Sequence, residues 1–254
     1  MAEHPKKLII FDLDGTLTKS KAPIDRETAD LLTELLDRKK VAVISGGGYR
    51  QFQKQFLGHM LASARQYSNL FLLPTSGTRL YVWKDHWVRE YAEDLSTDEK
   101  DRIMEALRDI LKMPSVYRKP ERIYGDLVED RGSQITFSAL GQEAPVEAKY
   151  AWDPTREKRE HIASILRHKL PKFDVRVGGA TSVDITHRGV NKAYGIRKLE
   201  QYLGLKPDEI AFVGDALFYG GNDYPARATG VDCHSVTGPE ETRALIRHWL
   251  GKSR

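Results

Sequence analysis

Two aspartates two positions apart stand where an apolar run stops: Leu8 to Phe11 leads into Asp12-Leu13-Asp14-Gly15-Thr16-Leu17-Thr18. With Gly15 freeing the turn, both carboxylates can approach one ligand once the chain leaves extended geometry. The same residues also suit an acidic turn that binds nothing. Other apolar runs end in the same manner. Val41 to Ile44 stops at Ser45, followed by Gly46, Gly47 and Gly48; Leu70 to Leu73 stops at Pro74-Thr75; Glu209 to Val213 stops at Gly214-Asp215, with Gly220-Gly221-Asn222-Asp223 further on. Lys192 opens a helical stretch after Gly189 to Asn191. In open α/β sheets ligands sit beyond the carboxyl ends of the strands, so these polar residues fall where chemistry is expected.

The elements that must position them follow from periodicity. Short continuous apolar runs such as Leu8 to Phe11 and Val41 to Ile44 read as strands buried on both faces of a parallel sheet. Between them Ile24, Leu31, Leu32, Leu35 and Leu36 recur at helical spacing over Asp25 to Arg38, with Asp25 or Thr28 as the cap. Strand, helix and strand within roughly 35 residues make a βαβ unit. From about Tyr81 to Ile185 the pattern changes. Alternating segments (Arg79 to Val88, Leu127 to Leu140, Phe173 to Val177, Ser182 to Thr186) flank helical stretches at Thr97 to Lys112 and Pro154 to Lys169. That pattern predicts an α+β domain with an antiparallel sheet, inserted into the α/β domain. The expected boundaries are 1–80 with 187–254 for the α/β core and 81–186 for the insertion. After Asn191 the α/β rhythm returns with a helix at Lys192 to Tyr202, the strand at Ile210 to Val213 and a last helix at Glu240 to Leu250.

Composition removes several function classes. The 254 residues are 40% hydrophobic and 30% charged, a globular balance, and 40 Lys and Arg against 36 Asp and Glu give a formal charge of only +4. The cations are scattered, with Arg38-Lys39-Lys40 and Arg118 to Arg122 the densest groups, so no nucleic-acid footprint is expected. One cysteine, Cys233, excludes an intramolecular disulfide framework and a multi-cysteine zinc site and suits a reducing compartment. MAEHPKKLIIFDLDG has too short an apolar stretch for a signal peptide or a membrane span, which makes a cytoplasmic location the expectation. Tyr81, Trp83, Trp87 and Tyr91 interleave with charges and read as strand packing rather than a base-stacking platform.

Asp12 to Thr18 resembles the first motif of the haloacid dehalogenase superfamily, DxDGT(L/V)T. The other three motifs follow in order. Ser45 in Val-Ile-Ser-Gly-Gly matches the second, a hydroxyl that with nearby backbone N–H groups such as that of Gly46 binds the transferring phosphoryl. Lys192 matches the third, a cation against the phosphoryl oxygens, and Gly214-Asp215 with Gly220 to Asp223 matches the acidic fourth. The resemblance implies a Rossmann-like parallel-sheet core and Mg²⁺ as cofactor, held by Asp12, Asp215 and the backbone carbonyl of Asp14. Hard oxygen ligands of this kind suit that ion. Asp12 is then the nucleophile that forms an aspartyl-phosphate, and Asp14 the acid and base. Lys192 and Ser45 stabilise the equatorial oxygens. Asn222 and Asp223 orient Asp215 and a water.

The long insertion between Ser45 and Lys192 narrows the resemblance to the type IIB branch, which carries a C2B-type α+β cap domain. Within it the chain is similar to the eukaryotic-type phosphomannomutases through FDLDGTLTKSKAPID, RGSQITFSALGQ, GGATSVDI and VGDALFYGGND with SVTGPEETR. That likeness implies that Ser182 and Asp184 bind sugar hydroxyls, that Arg131 grips a distal phosphate, and that the cap forms a homodimer. Three positions depart from the family pattern. Lys21, Gln142 and Lys149 stand where the family has arginines, and neither lysine nor glutamine offers the planar fork that pairs bidentately with phosphate. A mutase must hold its second phosphate while the intermediate turns. The expectation is therefore a Mg²⁺-dependent phosphatase acting on a phosphosugar, with phosphomannomutase as the alternative. A non-catalytic receiver-like module is a third reading, disfavoured because a receiver needs neither Asp14 nor a cap.

Overall fold

The computed structural model describes residues 6–19 and 21–252. Residues 1–5, part of the N-terminal stretch read above, and Ser20, within FDLDGTLTKSKAPID, lie outside the described residues. In chain order the elements are β1 (Leu8–Asp12), α1 (Arg26–Leu36), β2 (Lys40–Ile44), α2 (Tyr49–Gln55), α3 (Ala64–Tyr67), β3 (Leu70–Leu73), β4 (Arg79–Trp83), β5 (Trp87–Ala92), α4 (Thr97–Leu111), β6 (Val128–Asp130), β7 (Gln134–Ser138), α5 (Val146–Trp152), α6 (Glu157–Lys169), β8 (Phe173–Val177), β9 (Ser182–His187), α7 (Lys192–Leu203), β10 (Ile210–Gly214), β11 (Asp232–Ser235) and α8 (Pro239–Trp249). They divide into two units, one of residues up to Ala92 and from Val190 onward, the other Glu93–Gly189.

The first unit is built on a seven-stranded sheet in the order β11-β10-β1-β2-β3-β4-β5. β1 pairs in parallel with β10 on one side and β2 on the other, Ile9 lying opposite both Ala211 and Val41. Its unbroken apolar run is explained by helices on both faces. Ile9, Phe11, Val41 and Val43 pack with Leu32 and Leu35 of α1 and Ile246 of α8, whereas Leu8, Ile10, Ala42 and Ile44 pack with Ile196 and Leu199 of α7. The Asp25 carboxylate accepts the Thr28 N–H at 2.7 Å and starts α1, which resolves the choice of cap. Because chain order reverses at β1, its carboxyl end is the switch point where such sheets bind ligands.

The hairpin β4–β5 corrects the expected domain boundary. Its alternation does mark an antiparallel pair, yet β4 pairs with β3, so the hairpin extends the core sheet and the second unit begins only at Glu93. Its aromatic residues pack within the first unit, as expected. Tyr81 stacks on Tyr49 with centroids 3.8 Å apart, and Tyr67, Trp83 and Trp87 contact one another edge to face or tilted.

The second unit is the antiparallel sheet β6-β7-β9-β8. Ile135, Phe137, Val183, Ile185 and Val175 form its apolar face, covered by Ile103, Leu107 and Ile110 of α4 and Ile162 and Leu166 of α6. Alternation assigns Thr136, Ser138, Ser182 and Asp184 to the opposite face, where Thr136 lies opposite Asp184 and Ser138 opposite Ser182. The short α5 was not anticipated; Lys149 is its buried residue, and such a pattern carries no helical apolar stripe. Among the described residues no helix is long and apolar enough to cross a membrane.

Candidate active site

Asp12 is the last residue of β1 and 3% exposed. Gly15, at φ +87°, turns the chain back, and a Cβ there would lie 2.5 Å from Asp215 Oδ2, so only glycine lets the loop after β1 pass beside the end of β10. The Thr16 hydroxyl donates to Asp215 Oδ1 at 3.2 Å. Lys192, the first residue of α7, is 2% exposed and donates to Oδ1 of both Asp12 and Asp223. Asn191 caps that helix by accepting the Tyr194 N–H, which fixes where Lys192 begins. Asp223 is fully buried, and its Oδ2 accepts the Ala216 N–H at 3.0 Å.

Oxygens of Asp12, Asp215 and Asp223 lie within 4.8 Å of one another. Were all three carboxyls charged, the Lys192 ammonium would leave two negative charges uncompensated. Burial, reinforced by Asp223 and Asp215, pushes the Asp12 carboxyl up to about 8 against the pull of Lys192. Asp215 is also raised, by burial and then by Asp223. Burial pulls the Lys192 ammonium down, but Asp12 and Asp223 outweigh it and the net direction is upward. Three hard oxygen donors carrying excess negative charge fit a divalent metal ion. Asp223, expected only to orient Asp215, is thus the third carboxylate of the cluster.

Asp14 is engaged elsewhere. Its Oδ1 accepts the backbone N–H of Lys21 at 2.6 Å and a long 3.5 Å contact from Gln55 Nε2, and its Oδ2 accepts Gln51 Nε2 at 2.7 Å. Lys21 itself is exposed at φ 59° and meets Asp14 through the main chain. Ser45 is buried after β2; its Oγ accepts the Gly47 N–H, and its carbonyl accepts the Ser76 N–H. Gly46 is partly exposed beside it, and Asn222 is exposed on the loop before Asp223. Thr75, Ser76 and Gly77 all have positive φ (50°, 57° and 85°), a strained turn at the end of β3 that holds the Ser45 loop through Thr75 N–H to Gly47 O.

The second unit brings its own predicted residues together. Arg131 makes two bonds to Glu129 Oε2, at 2.9 and 2.7 Å. Thr136 Oγ1 donates to Asp184 Oδ1 at 2.7 Å, and Gln134 Nε2 to Thr136 Oγ1 at 2.9 Å. Burial raises the Asp184 carboxyl despite the nearby Arg131 charge. Lys149, 5% exposed, donates to the backbone carbonyl of Gln142 at 3.0 Å, and Gln142 Nε2 reaches Thr136 O at 3.5 Å. Ser182 is buried on β9 opposite Ser138.

Sequence reasoning missed Gln51, Gln55, Thr16, Glu129, Gln134 and Thr136. Four of these six had a readable signal in their spacing. Gln51 and Gln55 are four apart directly after the triple glycine, hence on one face of a short helix, and Gln134, Thr136 and Ser138 alternate along a strand.

The model of the family described as eukaryotic phosphomannomutase matches residues 28–252. The chain is 29% identical over 248 residues to a phosphomannomutase of Spinacia oleracea, covering 95% of both chains. It is 27% identical over 254 residues to the phosphomannomutase of Saccharomyces cerevisiae, covering 96% of this chain and 94% of that one. Among solved structures, N-terminally truncated Plasmodium falciparum IMP-nucleotidase shares the fold at TM-score 0.70 and 18% identity, covering 99% of this chain and 72% of that one.

Proposed function

Because the chain belongs to the eukaryotic phosphomannomutase family, we propose that it transfers a phosphoryl group between two hydroxyls of a hexose phosphate by way of Asp12. The observation that carries this reading is the buried Asp12 carboxylate at the end of β1, bonded to Lys192 and clustered with Asp215 and Asp223. An Asp12 oxygen attacks one phosphorus of a hexose bisphosphate, the phosphorus–sugar oxygen bond breaks, and Asp14 gives its proton to the departing oxygen, which leaves a hexose monophosphate beside phosphorylated Asp12. In the return step Asp14 takes the proton of a second hydroxyl, whose oxygen attacks phosphorus and releases Asp12. Lys192 and the Ser45 loop compensate charge on the phosphoryl oxygens. Mg²⁺ held by Asp12, Asp215 and Asp223, with the Asp14 carbonyl that the family resemblance supplies, would neutralise the phosphate dianion facing the nucleophile. Arg131, Ser182 and Asp184 of the second unit recognise the sugar phosphate.

Release of inorganic phosphate is a second reading, favoured by one observation. The Lys149 ammonium is bonded to Gln142 O, and the Gln142 side chain is neutral, so two family arginine positions offer less to a second phosphate.

The test is turnover of hexose 1- and 6-phosphates with Mg²⁺, with and without a hexose bisphosphate, measuring isomerised sugar and inorganic phosphate together. Asp12→Asn keeps the shape and removes the nucleophile, so both products should fall at least about 1,000-fold. Activity within tenfold of the parent would exclude Asp12 as the nucleophile.

A further inference from the structure

We infer that Gln51 and Gln55 are positioning residues that aim the Asp14 carboxylate, an inference that rests on the acid–base role proposed above for Asp14. Both amides come from α2, the helix that follows the Ser45 loop. Gln51 Nε2 holds Asp14 Oδ2 at 2.7 Å, and the Lys21 N–H holds Oδ1 at 2.6 Å, so each oxygen has a short donor. A carboxylate gripped at both oxygens has little freedom to rotate, which is what proton transfer to one departing oxygen requires.

Two independent details show that this grip is built. A Cβ at position 47 would lie 2.0 Å from Gln51 Oε1, so Gln51 takes up this place only because a glycine of the Ser45 loop leaves room. Phosphate loop and acid–base holder are therefore fitted to one another.

The second detail is Gln55. It is 6% exposed, its Nε2 donates to Ala22 O at 3.0 Å with Asp14 Oδ1 3.5 Å away, and its Oε1 is buried without a hydrogen-bond partner. A buried amide oxygen without a partner destabilises the fold, and a leucine of similar volume would remove it. With leucine there, Ala22 O would share the single Thr18 hydroxyl proton with Pro23 O, at 3.0 and 2.8 Å. The Gln55 amide thus both serves Ala22 O and sets an N–H beside Asp14.

The experiment compares Gln51→Leu, Gln55→Leu and Asp14→Asn with the parent protein on a hexose phosphate and on 4-nitrophenyl phosphate, whose leaving group needs no protonation. For Gln51→Leu the expected result is a fall in kcat of about tenfold or more on the hexose phosphate and of less than about threefold on the aryl ester. For Gln55→Leu the same selective loss should come with a thermal midpoint within a few degrees of the parent, since relief of the unpartnered Oε1 offsets the lost bond to Ala22 O. In the Asp14→Asn background Gln51→Leu should change neither rate further, because its effect passes through Asp14. Equal losses on both substrates, or full additivity with Asp14→Asn, would overturn the inference while leaving Asp14 in its role. Were Asp14→Asn itself to slow both esters equally, the acid–base reading would fail and this inference with it.

Discussion

Among the described residues Lys192 is the cation bonded to both the Asp12 and Asp223 carboxylates, and its removal exposes what that arrangement costs. In Lys192→Met the Asp12 and Asp223 carboxylates would face each other without the ammonium that both now accept from. Removing one partner of a buried ion pair destabilises by about 3–5 kcal/mol. The thermal midpoint in chelator should therefore drop by several degrees, and Mg²⁺ should restore more of it in the variant than it adds to the parent. Equal midpoints for variant and parent in chelator would show that Lys192 does not neutralise this cluster. At this scale the motif residues were legible because each follows a strand or opens a helix. Asp12, Ser45, Lys192 and Asp215 are placed by main-chain geometry that periodicity reveals. Spacing puts Gln51 and Gln55 on one helix face, but the place Gln51 takes depends on the missing Cβ of Gly47, a contact no spacing rule encodes.

Among the elements, α6 depends on a residue outside it. Asp153, whose side chain is 1% exposed, accepts the backbone N–H groups of Lys158 and Arg159 and the Arg159 guanidinium at 2.8 Å, while Arg159 also reaches Gly178 O. Burial pushes the Asp153 carboxyl up, but these hydrogen bonds and the Arg159 charge outweigh it, and the net shift is downward from 3.8. A carboxyl depressed on folding stabilises the protein above its unfolded value and loses that contribution as pH falls through the folded one. Stability of the second unit should therefore be level above about pH 4 and fall below it. Asp153→Ala should flatten that acid limb and cost about 3 kcal/mol at neutral pH, measured by denaturant titration at several pH values. An unchanged acid limb would mean that other carboxylates set it. The strands of the parallel core were legible because burial on both faces leaves continuous apolar runs. The hairpin β4–β5 was misassigned for the opposite reason: alternation reports one wet face and says nothing about which sheet the strand joins.

For the whole molecule, the proposed reaction poses a partition. Once Asp12 carries the phosphoryl group, either the sugar's second hydroxyl or water takes it. Return to the sugar requires the sugar monophosphate to stay bound by its own phosphate. In the proposed reaction Arg131 of the second unit would give that grip, but its guanidinium pairs with Glu129, the Lys149 ammonium bonds Gln142 O, and Gln142 is neutral. A charge-assisted hydrogen bond is worth about 1.5–3 kcal/mol, and its low end shifts a partition about tenfold. Isomerisation by the parent protein should therefore be accompanied by a measurable release of phosphate. Gln142→Arg places a guanidinium beside the polar face that carries Thr136 and Asp184, and it leaves the Lys149 bond intact because that bond is to the main chain. The ratio of phosphate released to sugar isomerised should fall about tenfold in this variant, with little change on 4-nitrophenyl phosphate, which has no second phosphate to hold. A ratio that does not move would show that the second unit does not set the partition, and that the chemistry of the first unit alone decides where the phosphoryl group goes.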